Sequence, residues 1–296
     1  MILNLAKLPN IKSPCIDFTE SIFPGGEVFI RLDTNNDADK LDTDILCRLN
    51  SSEDIMKLVM SVDAIKRLKM GCRPSYINAW IPYIPYARQD RVCNQGESHS
   101  LKAFSNILNS LKLNKVICYD PHSSVTEALI DNLEIQSNAS LVDYAIKQIS
   151  QSYGKLIVLS PDAGQSKKIY KLKFPKNTRI LECAKIRDLE TTKILQTVVP
   201  DLDIKGLEIQ PIIIIDDICD GGRTFIEIAK EVRKQTEAPL FLIVSHGIFS
   251  HGEDELKRYF IKIYTTNSIR NDDYVIGTGL RPVKSSLVER INIFSV

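Results

Sequence analysis

The chain has 296 residues, 44% of them hydrophobic and 25% charged, which is the composition of a soluble globular protein. Its 38 basic residues almost balance its 37 acidic residues, so the net charge of +1 gives no field that would attract a nucleic acid or a membrane surface. A chain of this length can form two domains of about 150 residues each.

Short apolar runs alternate along the chain with amphipathic stretches. The runs predict strands at 28–32, 77–84, 115–118, 156–159, 178–183, 211–215, 240–244 and 262–265. Apolar residues at helical spacing predict helices at 51–70, 100–111, 138–152 and 224–235. Strands that alternate with helices predict an α/β fold, in which a mainly parallel sheet is flanked by helices.

The cysteines and the N-terminus bear on location. The seven cysteines are scattered singly, without the CxxC or Cys/His spacing of a metal site. Their odd number favours a reducing compartment over a disulfide framework. The N-terminal sequence MILNLAKLPN lacks the basic-then-apolar pattern of a signal peptide, and no apolar run in the sequence is long enough to span a bilayer. We therefore expect a cytoplasmic protein.

The stretch 211–230, PIIIIDDICDGGRTFIEIAK, is the most informative part of the sequence. The β-branched run 211–215 predicts a buried strand, and Asp216 and Asp217 follow where that strand should end. Glycines then allow backbone N–H groups to surround a phosphate, and the start of the next helix adds partial positive charge. Carboxylates can accept hydrogen bonds from vicinal hydroxyls. This order predicts a site for a phosphorylated sugar.

Two further motifs, Asp120-Pro121-His122 and SPDAG at 160–164, follow predicted strands. A neutral imidazole and a carboxylate at such positions can share a Mg²⁺ ion that also bridges phosphates. In YARQDR at 86–91, an arginine can bind phosphate with its planar fork or stack on adenine, and a glutamine can contact a base edge.

The segment Lys185-Ile186-Arg187 alternates a cation with an apolar residue. On an extended chain, both cations project to the same side. They can then stabilise the charge that spreads over a transferring phosphoryl group, as an arginine finger does elsewhere. The alternative interpretation is an ordinary pair of surface charges.

Together with FPGGE at 23–27, these motifs resemble those of the ribose-phosphate pyrophosphokinases, in the same order and over nearly the whole chain. The resemblance implies two tandem domains of the type I phosphoribosyltransferase fold. Residues 1–139, rejoined by 285–296, would form the ATP side, and 140–284 the sugar-phosphate side. A neighbouring subunit completes the adenine pocket in this family, so the resemblance also implies a homodimer or homohexamer.

The resemblance also assigns roles to individual residues. The implied ATP-binding residues are Phe23, Glu27, Arg88, Gln89, Asp90 and His122. The implied ligands of Mg²⁺ are His122 and Asp162, and the implied catalytic residues are Lys185 and Arg187. The implied acceptor-binding residues are Asp216, Asp217, Asp220, Gly221, Gly222, Arg223 and Thr224.

The implied reaction transfers the β,γ-diphosphate of ATP to the C1 hydroxyl of ribose 5-phosphate. The acceptor loop departs from the commonest family pattern, because Gly221 stands where a threonine follows the aspartate and Arg223 stands where a small residue precedes the last threonine. An arginine fork suits a diphosphate bridge, so ADP-ribose, as in NAD salvage, is the alternative acceptor. Gly25 also replaces the usual aspartate of the adenine loop, and the expected flap at 92–99 has fewer basic residues than is usual.

Two other classes of protein share some of these features. A phosphoribosyltransferase has the same glycine loop but does not need the motifs at 86–91, 120–122 and 185–187. A non-catalytic regulatory paralogue tends to lose the catalytic cations, whereas Lys185 and Arg187 are both present here.

Overall fold

The computed structural model describes residues 1–33, 42–68, 76–187, 194–204, 210–271 and 288–294, with 185–187 and 194–196 described by their backbone alone. Within these ranges, no helix is long and apolar enough to cross a membrane. The chain forms two compact units. The first comprises Met1–Gln136, Ser268–Arg270 and Asn292–Val296, and the second comprises Ser137–Asn267 and Asn271–Ile291. The domain limits expected at 139/140 and 285 stay a prediction.

The first unit is built on a parallel sheet. Its elements are β1 (Ile2–Asn4), β2 (Phe18–Ile22), β3 (Val28–Leu32), β4 (Thr43–Leu46), α1 (Ser52–Leu68), β5 (Ile77–Trp80), α2 (Ser100–Ser110), β6 (Lys115–Tyr119), α3 (Val125–Leu129) and β7 (Leu133–Gln136). Five strands form the sheet in the order β1-β4-β5-β6-β7, and each neighbouring pair is parallel. Strands β2 and β3 form a separate antiparallel hairpin.

The second unit has a larger parallel sheet. Its elements are α4 (Ala139–Ser150), β8 (Leu156–Ser160), α5 (Ala163–Ile169), β9 (Thr178–Glu182), β10 (Ala184–Arg187), β11 (Ile194–Val198), β12 (Ile212–Cys219), α6 (Arg223–Arg233), β13 (Leu240–Gly247), a 3₁₀ turn (Leu256–Arg258), β14 (Lys262–Thr266) and β15 (Val288–Ile291). Six strands lie in the order β15-β14-β13-β12-β8-β9, all in parallel pairs. Strands β10 and β11 form an antiparallel pair outside this sheet.

Each unit has its own apolar core, and the second illustrates why the sequence folds this way. The four isoleucines that begin β12 are fully buried, as expected for a central parallel strand covered on both faces. In α6, the apolar residues Phe225, Ile228 and Val232 recur at helical spacing and are all buried in the same core. The predicted α/β class with mainly parallel sheets is therefore confirmed.

Two predicted strands have different ends in the structure. The strand expected at 77–84 ends at Trp80, because Pro82 and Pro85 follow and have no N–H to donate to a ladder. The strand expected to end at Ile215 continues to Cys219, since β13 pairs with it along its whole length. The prediction that Asp216 and Asp217 follow the strand is therefore wrong, because both lie inside it.

Candidate functional site

The acidic pair, Asp216 and Asp217, lies near the end of β12, just before the glycine loop. Asp217 is buried, with 5% of its surface exposed, whereas Asp216 is half-buried. The Asp217 backbone N–H donates to Asp216 Oδ1 at 2.8 Å. On the other side, Lys168 Nζ of α5 lies 3.6 Å from Asp217 Oδ2. One carboxylate thus has a cation beside it, and the other has a backbone donor.

The structure brings a third carboxylate, that of Asp162, close to this pair. Strands β8 and β12 are parallel neighbours, so the residues that follow β8 and those that end β12 lie at the same edge of the sheet. Burial raises the pKa of Asp216 well above its usual range, and the charges of Asp217 and Asp162 raise it further. Such a concentration of negative charge favours the approach of a metal cation or of hydroxyl donors.

Asp162 is the N-cap of α5 and is held in place by local hydrogen bonds. Its Oδ1 accepts from the Gln165 backbone N–H at 3.1 Å, as a helix N-cap does. The Ser160 hydroxyl donates to the Asp162 carbonyl at 2.7 Å. Ser166 in the next turn donates to Glu182 Oε2 of β9 at 2.5 Å. The capping carboxylate therefore has a defined position at the sheet edge.

The donor chemistry at this edge fits Mg²⁺, which takes carboxylate oxygens and keeps several waters. Asp162 and Asp216 supply such oxygens and are close enough for their charges to interact. Among the described residues, no group of three or more histidine, cysteine, aspartate or glutamate side chains is arranged to hold a metal by itself. A metal here would therefore depend on waters or phosphate oxygens for its remaining ligands.

The glycine loop, residues 220–224, connects β12 to α6. Gly222 has a φ of +79° and accepts hydrogen bonds from the backbone N–H groups of Phe225 and Ile226, both at 3.1 Å. A Cβ at position 222 would also lie 3.2 Å from Leu256 Cδ2, so the position requires glycine for two reasons. The first N–H groups of a helix have no acceptor within the helix, so this turn is suited to an anion.

Arg223 extends along the surface of α6. Its Nε donates to Glu227 Oε1 one turn later at 2.7 Å, and its side chain is 86% exposed. Thr197 of β11 donates weakly to the other Glu227 oxygen at 3.4 Å. An exposed ion pair of this kind contributes roughly 0.2–1 kcal/mol, so a phosphate group could displace it.

The predicted catalytic pair lies in β10. Lys185 is paired with Thr197, and the register shifts between Ile186 and Arg187. The side chains of Lys185 and Arg187 lie outside what the structure describes. A shift of register within a strand changes the directions in which its side chains point. The prediction that both cations project to one side therefore stays a prediction.

In the first unit, the segment YARQDR forms a tight turn. Tyr86 has a φ of +62°, which is rare for an aromatic residue, and its carbonyl accepts from Gln89 N–H at 2.9 Å. Arg88 and Gln89 are exposed at this turn. The Gln89 carbonyl accepts from the Leu101 N–H at 3.3 Å, which connects the turn to the first turn of α2.

Asp90 joins this turn to the DPH motif. Its carboxylate receives Nε of Arg91 at 2.7 Å and Nη2 at 3.1 Å, and only 8% of its surface is exposed. Arg91 holds the pKa of Asp90 below its usual range, and the Ser123 hydroxyl and the charge of His122 lower it further, against a partial effect of burial. The structure thus brings Asp90 close to His122, which is itself exposed.

Asp120, the first residue of the DPH motif, is buried and has a φ of +39°. Its N–H donates to the Gln136 carbonyl of β7 at 2.8 Å. A non-glycine residue in this conformation costs of order 1 kcal/mol or more and is often found at functional sites. The motif therefore begins at a fixed bend after β6.

The FPGGE segment is the turn of the β2–β3 hairpin. Phe23 N–H donates to the Glu27 carbonyl at 2.9 Å, and Gly26 has a φ of +92°. The Phe23 ring is 50% exposed and packs edge-to-face on Phe29. Between this turn and α1 lies a groove of about 560 Å³, lined by Phe23, Gly26, Glu27, Val28, Ser52, Glu53, Met56 and Met60.

The expected flap at 92–99 is an exposed loop that folds around one side chain. The Glu97 carboxylate accepts from the backbone N–H groups of Cys93 and Asn94 at 2.9 and 3.0 Å and from Asn94 Nδ2 at 2.6 Å. These bonds, first that of the Asn94 side chain, lower the pKa of Glu97.

Sequence reasoning missed three residues at the sheet edge of the second unit. Lys168, Ser166 and Glu182 contact the acidic cluster or its supporting helix. The only local signal was the SKK sequence after SPDAG, which is consistent with an ordinary charged helix face. Their role depends on the order of strands β9, β8 and β12 in the sheet.

Comparison with known proteins also indicates the ribose-phosphate pyrophosphokinases. The family model for the N-terminal domain of ribose phosphate pyrophosphokinase matches residues 7–111. A ribose-phosphate pyrophosphokinase of Sulfurisphaera tokodaii is 25% identical over 271 residues, which cover 91% of this chain and 89% of that protein. The chain thus resembles the ribose-phosphate pyrophosphokinases, by the family model over its N-terminal third and by this relative over nine-tenths of its length. The match with the relative extends family similarity into the second unit.

Other ribose-phosphate pyrophosphokinases are similarly distant. That of Mycoplasma genitalium is 28% identical over 262 residues, covering 86% of this chain and 74% of that protein. The crystal structure of the phosphoribosylpyrophosphate synthetase from Mycobacterium smegmatis superposes with a TM-score of 0.73 at 21% identity, covering 95% of this chain and 87% of that one. The chain therefore shares the fold of that synthetase.

Proposed function

We propose that this protein transfers the β,γ-diphosphate of ATP to the C1 hydroxyl of ribose 5-phosphate, giving phosphoribosyl diphosphate and AMP. Similarity to ribose-phosphate pyrophosphokinases over most of the chain supports an enzyme of the ribose-phosphate diphosphokinase class. The observation that carries the acceptor assignment is the end of β12, where Asp216 and Asp217 precede a glycine loop that opens α6. This order of groups suits a sugar that carries both vicinal hydroxyls and a terminal phosphate.

The chemical step is a displacement at phosphorus. The C1 hydroxyl oxygen of the acceptor attacks the β-phosphorus of ATP. The bond between the β-phosphorus and the oxygen that bridges to the α-phosphate breaks, and that oxygen leaves with AMP. The C1 hydroxyl proton is released to water. A protein accelerates such a step mainly by positioning the reactants and stabilising the phosphoryl charge.

We assign the acceptor to Asp216, Asp217 and the loop 220–224. The carboxylates would accept hydrogen bonds from the ribose hydroxyls. The loop would hold the 5-phosphate with backbone N–H groups and with the Thr224 hydroxyl, in the way that other helix N-termini hold phosphate. The left-handed Gly222 supports this assignment, because it allows the backbone to turn directly into α6.

We assign ATP to residues of the first unit: Phe23, Glu27, Arg88, Gln89, Asp90 and His122. The exposed Arg88 and Gln89 at the turn that begins with Tyr86 are suited to phosphate and to a base edge. His122 and Asp162 are each proposed as a ligand of Mg²⁺, which would neutralise phosphate charge when bound. Lys185 and Arg187 would stabilise the charge of the transferring β-phosphoryl group.

We further propose that the protein is a homodimer or homohexamer and that Phe23 reaches the adenine pocket of a neighbouring copy. The support is the exposure of the Phe23 ring at the tip of a hairpin and the groove beside it. A cytoplasmic location remains the expectation from the cysteine pattern.

The acceptor can be determined by measuring AMP formation from ATP with ribose 5-phosphate and with ADP-ribose in separate assays. We expect turnover with ribose 5-phosphate, because the relatives that match most of this chain are ribose-phosphate pyrophosphokinases. Equal or faster turnover with ADP-ribose would overturn that assignment. Consumption of phosphoribosyl diphosphate without any formation of AMP from ATP would instead indicate a phosphoribosyltransferase.

The role of Lys185 is tested in the same assay. Lys185→Ala should lower kcat by roughly 100-fold or more while ATP still binds, as for the loss of a transition-state donor. Lys171→Ala, at an exposed lysine beyond α5, is the matched control. Equal activity of the two variants would remove Lys185 from the catalytic assignment and favour a non-catalytic paralogue.

A further inference from the structure

The imidazole of His251 lies where a side chain at position 221 would begin. A Cβ built on Gly221 would be 3.0 Å from His251 Nδ1 and 3.1 Å from its Cε1. Contacts this close are rare for a real Cβ, so a side chain at 221 would require the imidazole to move by a few tenths of an ångström. Gly221 has no side chain of its own there, and a histidine from another segment occupies that space.

The segment that carries His251, residues 248–252, is attached to the glycine loop by its backbone. The N–H groups of Ile248 and Phe249 donate to the Cys219 carbonyl at 2.9 and 3.2 Å. Ser250 N–H donates to the Asp220 carbonyl at 3.2 Å. These bonds reach the residues immediately before Gly221, so the position of His251 follows that of the acceptor loop.

Side-chain packing also holds the segment 248–252 in place. Phe249 is buried with a φ of +50°, and a Cβ on Gly247 would lie 2.3 Å from its ring atom Cε2. The Arg290 guanidinium lies 5.9 Å from the centre of the Phe249 ring and pairs with Glu253 at 3.3 Å. A buried aromatic residue in this conformation requires such support from its surroundings. The segment is therefore held in one conformation.

The side chain of His251 itself is exposed, although its backbone is held in this way. An imidazole is a hydrogen-bond donor with a longer reach than a threonine hydroxyl. The imidazole therefore lies beside a loop whose backbone suits an anion, at the point where a side chain of residue 221 would begin. Residue 221 thus offers no side-chain donor, and the imidazole of His251 lies at the same place.

We propose that His251 is a phosphate-binding residue of the acceptor site, which takes the place of the side chain that Gly221 lacks. The inference rests on the proposed function, because it assigns the loop 220–224 to the 5-phosphate of the acceptor. It adds a specificity-determining residue from the connection after β13, outside the loop. The glycine at position 221 leaves room for the imidazole in the observed conformation.

The test compares His251→Leu and His251→Gln with the wild-type protein. Leucine keeps the bulk of the imidazole without a donor, and glutamine restores a donor. The measurements are calorimetric binding of ribose 5-phosphate, the KM values of ribose 5-phosphate and ATP, and thermal unfolding. Glu255→Ala, exposed in the same connection, is the matched control. We expect His251→Leu to weaken ribose 5-phosphate binding roughly 10-fold, with an unchanged KM for ATP and partial recovery in His251→Gln.

A second pair of variants tests directly whether a side chain at position 221 and the imidazole of His251 compete for the same space. Gly221→Thr alone should lose acceptor affinity because of the contact with His251. Gly221→Thr combined with His251→Gly should recover most of it. Acceptor affinity within twofold of wild type in His251→Leu, with normal unfolding, would overturn the inference.

The outcomes separate this inference from the proposed function. If wild type forms AMP with ribose 5-phosphate and His251→Leu behaves like wild type, the function stands and the inference fails. If wild type binds ribose 5-phosphate without forming AMP, and His251→Leu loses that binding, the inference stands and the function fails. Absence of any binding of ribose 5-phosphate by wild type would count against both.

Discussion

Lys168 Nζ lies 3.6 Å from Asp217 Oδ2, which connects α5 to the carboxyl end of β12. The Asp217 side chain is 7% exposed and that of Lys168 is 30% exposed, so this ion pair is shielded from water on the carboxylate side. Asp216 and Asp162 lie in the same acidic cluster. The lysine therefore offsets part of a negative charge that burial makes unfavourable.

Replacing Lys168 should destabilise the protein. Lys168→Met keeps the length of the side chain but leaves Asp217 buried beside a second carboxylate, which should cost roughly 1–3 kcal/mol of unfolding free energy. Urea unfolding at pH 7 measures this loss. Lys167→Met, exposed one position earlier on α5, is the control and should change little. Equal stability of the two variants would mean that solvent already screens the pair.

Replacing Asp216 should raise stability and lower activity. Burial, Asp217 and Asp162 raise the pKa of Asp216 in the folded protein, so its protonated form is favoured there. The corresponding stability is fully present below the unfolded pKa of about 4 and is lost as the pH rises through the raised folded pKa. Asp216→Asn mimics the protonated form. Its melting temperature should match wild type near pH 4 and exceed it at pH 7, measured with a chelator present.

The same substitution removes a proposed acceptor of ribose hydroxyl bonds, so kcat/KM for ribose 5-phosphate should fall roughly 10–100-fold. Asp254→Asn is the control of opposite sign, since Lys257 lowers the pKa of Asp254. That variant should be no more stable than wild type at pH 7. A melting temperature of Asp216→Asn below wild type at pH 7 would contradict the electrostatic account.

Adding a methyl group at Gly247 should disturb the segment 248–252. A Cβ there would lie 2.3 Å from Phe249 Cε2 and 2.9 Å from Thr265 Oγ1, so the buried ring must move. Overpacking of this kind costs roughly 1–3 kcal/mol. Gly247→Ala should therefore unfold at lower urea and bind ribose 5-phosphate more weakly. Gly154→Ala, where nothing lies within 4 Å of the new atom, should do neither.

Removing the ring of Phe23 tests the proposed adenine contact. Phe23→Ala should raise the KM for ATP about 10-fold, since aromatic stacking and burial of this size are worth about 1–2 kcal/mol. Ile22→Ala is the matched control, because the side chain is similarly exposed in the same hairpin but does not line the groove. A lowered molecular mass by light scattering in Phe23→Ala would show that the ring also supports assembly. Identical KM values for the two variants would exclude the adenine contact.

Local sequence signals were sufficient to predict only part of the candidate site. The predictions for α6 and for most strands needed only the spacing of apolar residues, and the glycine turn needed only its composition. The sequence predicted Asp216 and Asp217 as binding residues but placed them after the strand. Their position inside β12 could not be predicted, because the length of that strand depends on its pairing with β13. Likewise, nothing near position 162 signals an effect on the pKa of Asp216.

The sequence by itself determined the α/β class, the order of the motifs and the glycine loop at 220–224, because hydrophobic period and turn composition act over a few residues. The tertiary structure decided which distant side chains share that loop. Parallel pairing of β8, β12 and β13 brings Asp162, Lys168 and His251 to the residues around Asp217 and Gly221. These contacts depend on strand order, which is set by burial of the whole sheet and leaves no local trace in the chain.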